Sequence, residues 1–331
     1  VKELVKVNVP AFGHLGLTAG LGRKLWKFLV ALEPRHGLVS RFFQRQGKEG
    51  HMRPIGLIGP IVFAFPLVLG GPAAAEAQVD EFMGDWQGSQ YQADKKSNEE
   101  PLAAQVIALG DGNYEAHVIR EFNVRVAPLA VLKGTIHSNK IVFGTSAMIA
   151  DGKFTGQFGD KPVSFFMKRI ERQSPALGEK PPTNALVLFD GRNLDAWQAV
   201  NGQPCPWKLV DGGAMEVAPG KGSIISRQKF KDAKVHLEFR TPFMPKARGQ
   251  GRGNSGVYLQ GRYEVQILDS YGLEGHDNEC GGIYKVGAPL VNMCAPPMQW
   301  QTYDIAFAAP KFDGAGKKTE NARITVTHNG V

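Results

Sequence analysis

From about residue 79 onward, apolar and polar residues alternate in short runs, the pattern of half-buried β-strands. In residues 78–172 these runs are AAQVIAL, NYEAHVI, LAVLKGTI, KIVFG, GKFTGQF and VSFFMKRI. Turn signals such as Gly110-Asp111-Gly112 and Asp151-Gly152 separate them. The pattern predicts a small antiparallel β-sheet or barrel over residues 78–172. It contains no cluster of catalytic residue types, so we expect a binding or packing module.

A Pro-rich stretch without periodicity, residues 173–184, predicts a linker between two domains. Short alternating runs resume in residues 185–331. They are WKLV, AMEVA, SIIS, KVHLEFRTP, GVYLQ, RYEVQIL, TYDIAFA and ARITVTH. Closely spaced strands with Gly-rich turns and no long helical pattern predict an all-β protein whose second domain is a β-sandwich.

The N-terminal 77 residues have the pattern of a leader instead. Met52 is the first methionine, and an apolar run from Ile55 to Leu69 follows one Arg and leads to Ala75-Glu76-Ala77. Residues 52–77 are therefore predicted to be a signal peptide cut after Ala77, which implies a periplasmic or secreted protein. Residues 1–51 are predicted to be an extension upstream of the true start. The alternative is a genuine N-region or an amphipathic anchor.

The net charge of +8 is concentrated in that leader. Residues 1–51 hold nine Lys and Arg against three acidic residues, which leaves only +2 for residues 78–331. A nucleic-acid or anionic-membrane partner would require the positive charge on the folded part. The predicted leader is too short and too interrupted by Gly and Pro to cross a membrane, so no membrane span is expected in the mature form.

The three cysteines allow two states after export. Cys280 and Cys294 are predicted to form a disulfide or to remain buried free thiols, with Cys205 left over. A metal site built from Cys280, Cys294 and His276 is the less favoured alternative, because no close CxxC pair accompanies them.

The candidate chemistry lies on three strands. In RYEVQIL, Tyr263, Val265 and Ile267 alternate with a polar set, Arg262, Glu264 and Gln266. The neighbouring GVYLQ adds Tyr258, and HLEFR adds Glu238 and Arg240. If the three strands lie side by side, one face forms a polyol or sugar groove. Two carboxylates on that face would fit the separation of about 5 Å of a retaining glycosidase.

Several motifs occur together in a characteristic order. They are Leu188-Phe189-Asp190-Gly191, Asn254-Ser255-Gly256-Val257, Tyr263 to Asp269, Gly282-Ile283-Tyr284 and Trp300-Gln301-Thr302-Tyr303. Together they resemble the 3-keto-disaccharide hydrolase domain over residues 183–331. The resemblance implies a concanavalin A-like jelly roll, bacterial export and a sugar substrate. The family continues through further strands where this chain stops, so a C-terminal truncation is expected.

The resemblance also implies a reaction. A ketone at C3 of a sugar acidifies the C2 hydrogen, so a glycosidic bond can break by elimination followed by hydration. This route requires a base and a group that stabilises the enolate oxygen. Glu264 or His276 is expected to be the base, and Arg240, Lys285 or a divalent metal is expected to stabilise the oxyanion. Calcium or manganese held by Glu264 and Asp269 would suit such oxygen ligands.

Further residues are predicted to bind the substrate, and each has a simpler interpretation beside this one. Glu238 and Arg240 could form a structural ion pair, Asn254 a turn, Asp269 a strand end, and His276 a surface loop. The aromatic residues could belong to the core instead of stacking on a sugar. The predicted site comprises Glu264, Gln266, Asp269 and His276 for catalysis and Glu238, Arg240, Asn254, Tyr258, Arg262, Tyr271, Tyr284, Lys285 and Trp300 for binding.

Two other functions remain open at this point. A non-catalytic carbohydrate-binding module would need aromatic and amide side chains but no acid or base, and the same scaffold could carry it. A structural envelope protein is the third possibility. The charged row at Glu264 favours the enzyme.

Overall fold

The computed structural model describes residues 24–32, 80–91, 99–160, 163–210, 212–218 and 220–331, with residues 24–32 described as backbone only. These residues form an all-β protein whose only helical element is a three-residue 3-10 turn, Gly249–Gly251. This confirms the predicted fold class. Within the same ranges, no helix has the length and apolar character needed to cross a membrane. The predicted signal peptide, residues 52–77, lies outside the described residues, and the predicted domain boundaries stay predictions.

The first unit is a closed barrel of eight antiparallel strands. Each strand pairs with the next and the last pairs with the first, so the barrel has no free edge. Two of its strands, Gly84–Tyr91 and Ala147–Ala150, were not among the predicted runs. In chain order the strands are β2 Gly84–Tyr91, β3 Glu100–Gly110, β4 Asn113–Ile119, β5 Ala130–His137, β6 Lys140–Phe143, β7 Ala147–Ala150, β8 Lys153–Phe158 and β9 Val163–Ile170.

Aromatic side chains fill the barrel. Trp86, Phe143, Phe154 and Phe165 are all buried, and the ring centroids of Phe154 and Phe165 lie 5.0 Å apart at an interplanar angle of 86°. Gly88 allows β2 and β9 to approach, because a Cβ there would lie 1.9 Å from the Phe166 carbonyl oxygen. The barrel interior is therefore a packed core.

The second unit is a two-layered β-structure whose larger layer is a six-stranded antiparallel sheet. Its strands are β1 Lys24–Leu32, β11 Lys208–Val210, β12 Ala214–Val217, β14 Ala233–Arg240, β17 Gln301–Ala308 and β20 Arg323–His328. Their order in the sheet is β11-β12-β1-β14-β17-β20. The strand β1 comes from the predicted N-terminal extension and lies inside this sheet, between β12 and β14.

The second layer contains the pair of β15 Asn254–Leu259 with β16 Tyr263–Leu268. Two further short pairs are β10 Trp197–Ala199 with β13 Ile224–Ser226, and β18 Lys311–Phe312 with β19 Lys318–Glu320, the last of which is exposed. The β15–β16 turn has positive φ at Gln260 and Gly261, as a type I′ hairpin turn requires. Along the other side of β16, residues 281–284 pair with it through Gln266 and Glu264 backbone hydrogen bonds.

The core lies between the two layers. Val235, Leu237 and Phe239 of β14 and Tyr303 of β17 face Val265 and its neighbours across the core. The Tyr303 hydroxyl donates a hydrogen bond of 2.7 Å to the Gln266 carbonyl oxygen, which ties the layers together. Because strand side chains alternate, the polar residues of β14 and those of β16 point to opposite outer faces of the structure.

Buried polar contacts join the barrel to the sandwich. Asp85 of β2 is 3% exposed; it accepts a hydrogen bond of 2.8 Å from the Tyr271 hydroxyl and one of 2.8 Å from Arg172 Nε. Burial beside Asp85 raises the pKa of Tyr271 well above its ordinary value, so this hydroxyl stays a donor. The sandwich thus contacts the barrel through a charged group that neither unit exposes.

The cysteines are free. Cys280 and Cys294 are both buried, and the Cys280 sulfur lies 3.1 Å from the Tyr303 hydroxyl. Burial raises the pKa of the Cys294 thiol well above its ordinary value. Of the two predicted states, this structure has the buried thiols.

Candidate functional site

The candidate site is a polar row that crosses three strands on the outer face of the second layer. Tyr258 and Glu264 are register partners in β15 and β16, and the Tyr284 N–H donates a hydrogen bond of 2.9 Å to the Glu264 carbonyl oxygen. Residues opposite each other in a sheet share a face. We call Tyr258, Glu264 and Tyr284 the Glu264 row. It brings together three of the predicted site residues.

The next row along the sheet is Gly256, Gln266 and Gly282, and its two glycines make room for the polar groups. A Cβ on Gly256 would lie 2.1 Å from Glu264 Oε1, so the carboxylate leans over this glycine. A Cβ on Gly282 would lie 2.6 Å from the Asp277 carbonyl oxygen, so the loop carrying Asp277 crosses there. Larger residues at either position would displace the carboxylate or the loop.

Gln266 is 2% exposed and holds two loops in place. Its Nε2 donates to Gln250 Oε1 at 3.0 Å and to the Asn278 carbonyl oxygen at 3.3 Å. Gln250 Nε2 donates to the same carbonyl at 2.8 Å, and Asn254 Nδ2 donates to Gln250 Oε1 at 2.9 Å. Gln266 was predicted to be catalytic. In the structure it is enclosed by these partners, and its hydrogen bonds position the two loops that border the site. Asn254 supports the same network.

The carboxylate and the neighbouring phenol are directly linked. The Tyr258 hydroxyl donates a hydrogen bond of 2.7 Å to Glu264 Oε2, and this bond, with partial burial, raises the pKa of Tyr258 to about 12. Tyr258 is still 55% exposed, so a ligand can reach the pair. Lys285 follows Tyr284, and its Nζ lies 5.6 Å from the Tyr284 ring centroid. The row therefore offers a base, a phenol and an adjacent cation.

Other predicted residues lie away from this row. Arg262 is exposed in the hairpin turn, and His276 Nε2 lies 3.7 Å from Glu274 Oε2 in an exposed loop. Tyr271 is fully buried against Asp85 and is not free to stack on a sugar. Asp269 is 4% exposed, and burial raises its pKa.

The expected side-by-side arrangement of three strands is wrong for β14. This strand pairs with β1 and β17 in the large sheet, so Glu238 and Arg240 lie on the opposite outer face from Glu264. There Glu238 Oε1 accepts a hydrogen bond of 2.7 Å from the Gly178 N–H of the linker. Arg240 stacks 5.2 Å from the Trp300 ring, so Trp300 is also outside the site. Glu238 and Glu264 consequently do not form a glycosidase carboxylate pair.

The predicted metal ligands do not converge either. Glu264 and Leu268 are the second and last residues of the extended strand β16, and Asp269 follows it, so the two carboxylates are separated by five residues. At about 3.3 Å per residue, the backbones of Glu264 and Asp269 are about 16 Å apart. Two side chains that each place an oxygen about 2.3–2.6 Å from one calcium ion cannot span this distance. No group of three or more His, Cys, Asp or Glu side chains in the described part of the chain is arranged to hold a metal ion. These two residues therefore cannot share one ion.

The residues predicted from the sequence do not include Gln250, Asn278 and the two glycines of the second row. Gly256 and Gly282 stand in the motifs that carry the family resemblance, but their role depends on which residue faces them across the sheet. Gln250 and Asn278 are polar residues in irregular loops, where alternation gives no signal. Only their hydrogen bonds to Gln266 show that they belong to the site.

Comparison with known proteins supports a carbohydrate-related domain. Residues 184–331 match the sequence model of a family described as 3-keto-alpha-glucoside-1,2-lyase-like domain, which confirms the resemblance inferred from the motifs. The chain is also similar to the crystal structure of a candidate glycosyl hydrolase from Parabacteroides distasonis ATCC 8503. The identity is 41% and the TM-score 0.43, over 46% of this chain and 64% of that one, less than two thirds of its length. No curated protein matches the chain.

Proposed function

We propose that this protein, whose residues 184–331 form a domain of the 3-keto-alpha-glucoside-1,2-lyase-like family, cleaves the glycosidic bond of 3-keto-glycosides such as 3-keto-disaccharides. The observation that carries the proposal is the accessible Tyr258–Glu264 pair beside the glycine-lined surface. Export to the periplasm or the medium, predicted from residues 52–77, belongs to the same proposal.

The reaction begins with proton transfer. The Glu264 carboxylate takes the C2 proton, and the C–H electron pair forms an enolate whose negative charge lies on the C3 oxygen. Lys285, the nearest predicted cation beside the row, stabilises this oxygen electrostatically. A correctly placed general base contributes about 10²–10⁴-fold to such a step. Arg240 has no part in it, because it lies on the opposite face.

The enolate then collapses and expels the leaving group. Its electron pair re-forms the C3 carbonyl, a C1–C2 double bond forms, and the C1–O bond breaks. Once Glu264 is protonated, the Tyr258 hydroxyl no longer donates to a carboxylate and can give its proton to the departing oxygen. Addition of water across the C1–C2 double bond completes a net hydrolysis, and omission of that step makes the protein a lyase.

The test is turnover of a 3-keto-disaccharide by the full chain in D₂O. Deuterium at C2 of the released 3-keto sugar is expected for elimination and hydration, and direct displacement at C1 would leave C2 unlabelled. Glu264→Gln is expected to lower kcat by about 10²–10⁴-fold. Assays with EDTA and with added calcium or manganese test the metal predicted from the sequence.

A carbohydrate-binding module is the second candidate, favoured by the exposure of Tyr258, which suits stacking on a sugar. This function requires no base. Sugar binding by calorimetry that is equal in the wild type and in Glu264→Gln, with no turnover by the wild type, would establish it and reject the enzyme.

A further inference from the structure

We infer that the barrel completes the frame of the candidate site and that Arg125 is the positioning residue through which it acts. This inference deepens the proposed function and rests on it for the kinetic effect only. The barrel lies outside the part of the chain that matches the family. Its role is therefore visible only in the contacts between the two units.

Arg125 closes the base of a loop that carries part of the site. It lies between β4 and β5 of the barrel, and its Nη1 donates to the Gly275 carbonyl oxygen at 3.0 Å and to the Pro289 carbonyl oxygen at 2.9 Å. Its Nη2 reaches Glu274 Oε1 at 3.4 Å. The two carbonyls stand on either side of residues 276–288. One planar guanidinium thus fixes both ends of this segment, which a single neutral donor could not do.

The clamped segment provides one side of the site. Asn278 accepts the hydrogen bonds from Gln250 and Gln266, and Tyr284 completes the Glu264 row. Lys285 follows directly and has a positive φ of 59°, a conformation that a non-glycine residue adopts only when its surroundings impose it. Release of the segment at its base would allow Tyr284 and Lys285 to shift while Glu264 stays on its strand.

The barrel also holds the opposite side. At the turn between β3 and β4, the Leu109 carbonyl oxygen accepts a hydrogen bond of 2.9 Å from Arg248 Nη2, and Asp111 Oδ1 lies 2.5 Å from Lys246 Nζ. Arg248 lies two residues before Gln250, whose side chain meets Asn278 and Gln266. Both loops that converge on Gln266 are therefore tied to the barrel, one by the connection between β3 and β4 and the other by the connection between β4 and β5.

Arg125 makes no contact with the Glu264 row, so it acts through the loop. The expected consequence is weaker stabilisation of the enolate oxygen with the base intact, because Lys285 moves with the segment. We expect Arg125→Ala to lower kcat about tenfold, with KM changed less than threefold and the pH dependence of kcat unchanged, since Glu264 stays on its strand. Arg125→Lys should rescue only part of the effect, because an ammonium lacks the planar fork.

Hydrogen exchange of the full chain by mass spectrometry tests the clamp without any substrate. The Gly282 N–H donates to the Glu279 carbonyl oxygen, and the Tyr284 N–H donates to the Glu264 carbonyl oxygen. Exchange of these two N–H groups should accelerate about tenfold in Arg125→Ala, whereas exchange in the barrel strands should not change. Arg120→Ala is the matched control: Arg120 lies in the same connection between β4 and β5, its side chain is 65% exposed, and it pairs with Glu100 at 3.8 Å.

The two hypotheses can fail separately. Unchanged exchange over residues 276–288 in Arg125→Ala would overturn the clamp, whatever the activity. Accelerated exchange with an unchanged kcat in an active enzyme would overturn the positioning role. Accelerated exchange in a protein whose wild type turns over no 3-keto sugar would leave the clamp standing and reject the proposed function.

Discussion

At the scale of single residues, the Tyr258–Glu264 hydrogen bond has a spectroscopic consequence. A phenol that donates to a carboxylate resists ionisation, and this bond contributes most to raising the pKa of Tyr258 to about 12. In Glu264→Gln the acceptor is neutral, so the pKa of Tyr258 should fall toward the ordinary value of about 10. Titration of ¹³C-labelled tyrosine by NMR measures the change.

Two variants control this titration. Tyr258→Phe removes the titrating group and should erase the resonance that moves in Glu264→Gln. A pKa of Tyr258 that stays near 12 in Glu264→Gln would show that burial, and not the carboxylate, sets its value, and would weaken the assignment of Glu264 and Tyr258 as a working pair.

His328 makes the stability of the sandwich depend on pH. It is 4% exposed, its Nε2 lies 2.8 Å from Gln301 Oε1, and burial lowers its pKa to about 3. The unfolded chain binds a proton near pH 6.5, so the neutral folded form is fully stabilised above that pH and loses stability as the pH falls toward 3. The limiting slope is about 1.4 kcal/mol per pH unit.

Urea denaturation at a series of pH values measures that slope. His328→Gln keeps a polar partner for Gln301 but cannot titrate, so its free energy of unfolding should vary less between pH 6.5 and 4 than that of the wild type. Parallel curves for the two proteins would mean that His328 is protonated without cost in the folded state.

At the scale of strands, the sequence predicts which faces are polar but not which strands are neighbours. Alternation correctly places Glu264 on the outer face and Val265 in the core. It separates Glu238 from Leu237 in the same way, but the linker covers Glu238, which is 3% exposed. Whether Glu238 and Glu264 share a surface depends on the assignment of β14 and β16 to different layers. Nothing local in either strand encodes that choice, since long-range pairing and packing decide it.

The same limit explains the residues that changed role. Tyr271 and Asp269 follow β16 in a polar-looking segment, which suggested a site, but the barrel and the core bury them. The motifs identified the family and the strand that carries Glu264. The motifs could not reveal Gln250 or Asn278, because the role of these loop residues depends on hydrogen-bond partners that only the folded structure brings together.

A substitution at Gly256 tests the second row. A Cβ there would lie 2.1 Å from Glu264 Oε1, so Gly256→Ala should push the carboxylate away from Tyr258 and lower kcat/KM at least tenfold. Gly287→Ala is the control, because nothing lies within 4 Å of its Cβ position and its φ is not positive. Equal activity of the two variants would show that the carboxylate adapts without loss.

The strand β1 gives the predicted leader a measurable consequence. It pairs with β14 over eight residues, from Leu25 opposite Arg240 to Leu32 opposite Ala233, and also with β12. A chain beginning at residue 78 would leave both facing edges unpaired, and unpaired edges promote association. That chain is also the mature form predicted from cleavage after Ala77, so lower stability and aggregation, measured by thermal unfolding and light scattering, would overturn the proposed export. Equal stability and a monomeric state would show that β1 is dispensable.

At the scale of the whole molecule, the barrel and the sandwich are joined at two kinds of contact. Arg125 and Arg248 reach carbonyl oxygens near the site, whereas Asp85 forms a buried centre with Arg172 and Tyr271. We expect the Arg125 and Arg248 contacts to fix the positions of the loops at the site, and the Asp85 contacts to determine whether the two units unfold together. We therefore expect the sandwich to depend on the barrel both for the position of its loops and for cooperative unfolding.

Asp85→Ala tests this cooperativity. The change removes the carboxylate that accepts hydrogen bonds from Arg172 and Tyr271. Breaking a buried ion pair lowers the free energy of unfolding by about 3–5 kcal/mol. Because Arg172 is 23% exposed, we expect a loss near the lower figure. Calorimetry should show one transition for the wild type and two for Asp85→Ala, as the units uncouple. Glu100→Ala, which removes the exposed partner of Arg120, should stay within about 1 kcal/mol. A single, unshifted transition in Asp85→Ala would mean that the remaining contacts, such as Ile107 against Gly272 and the Arg125 and Arg248 hydrogen bonds, hold the two units together.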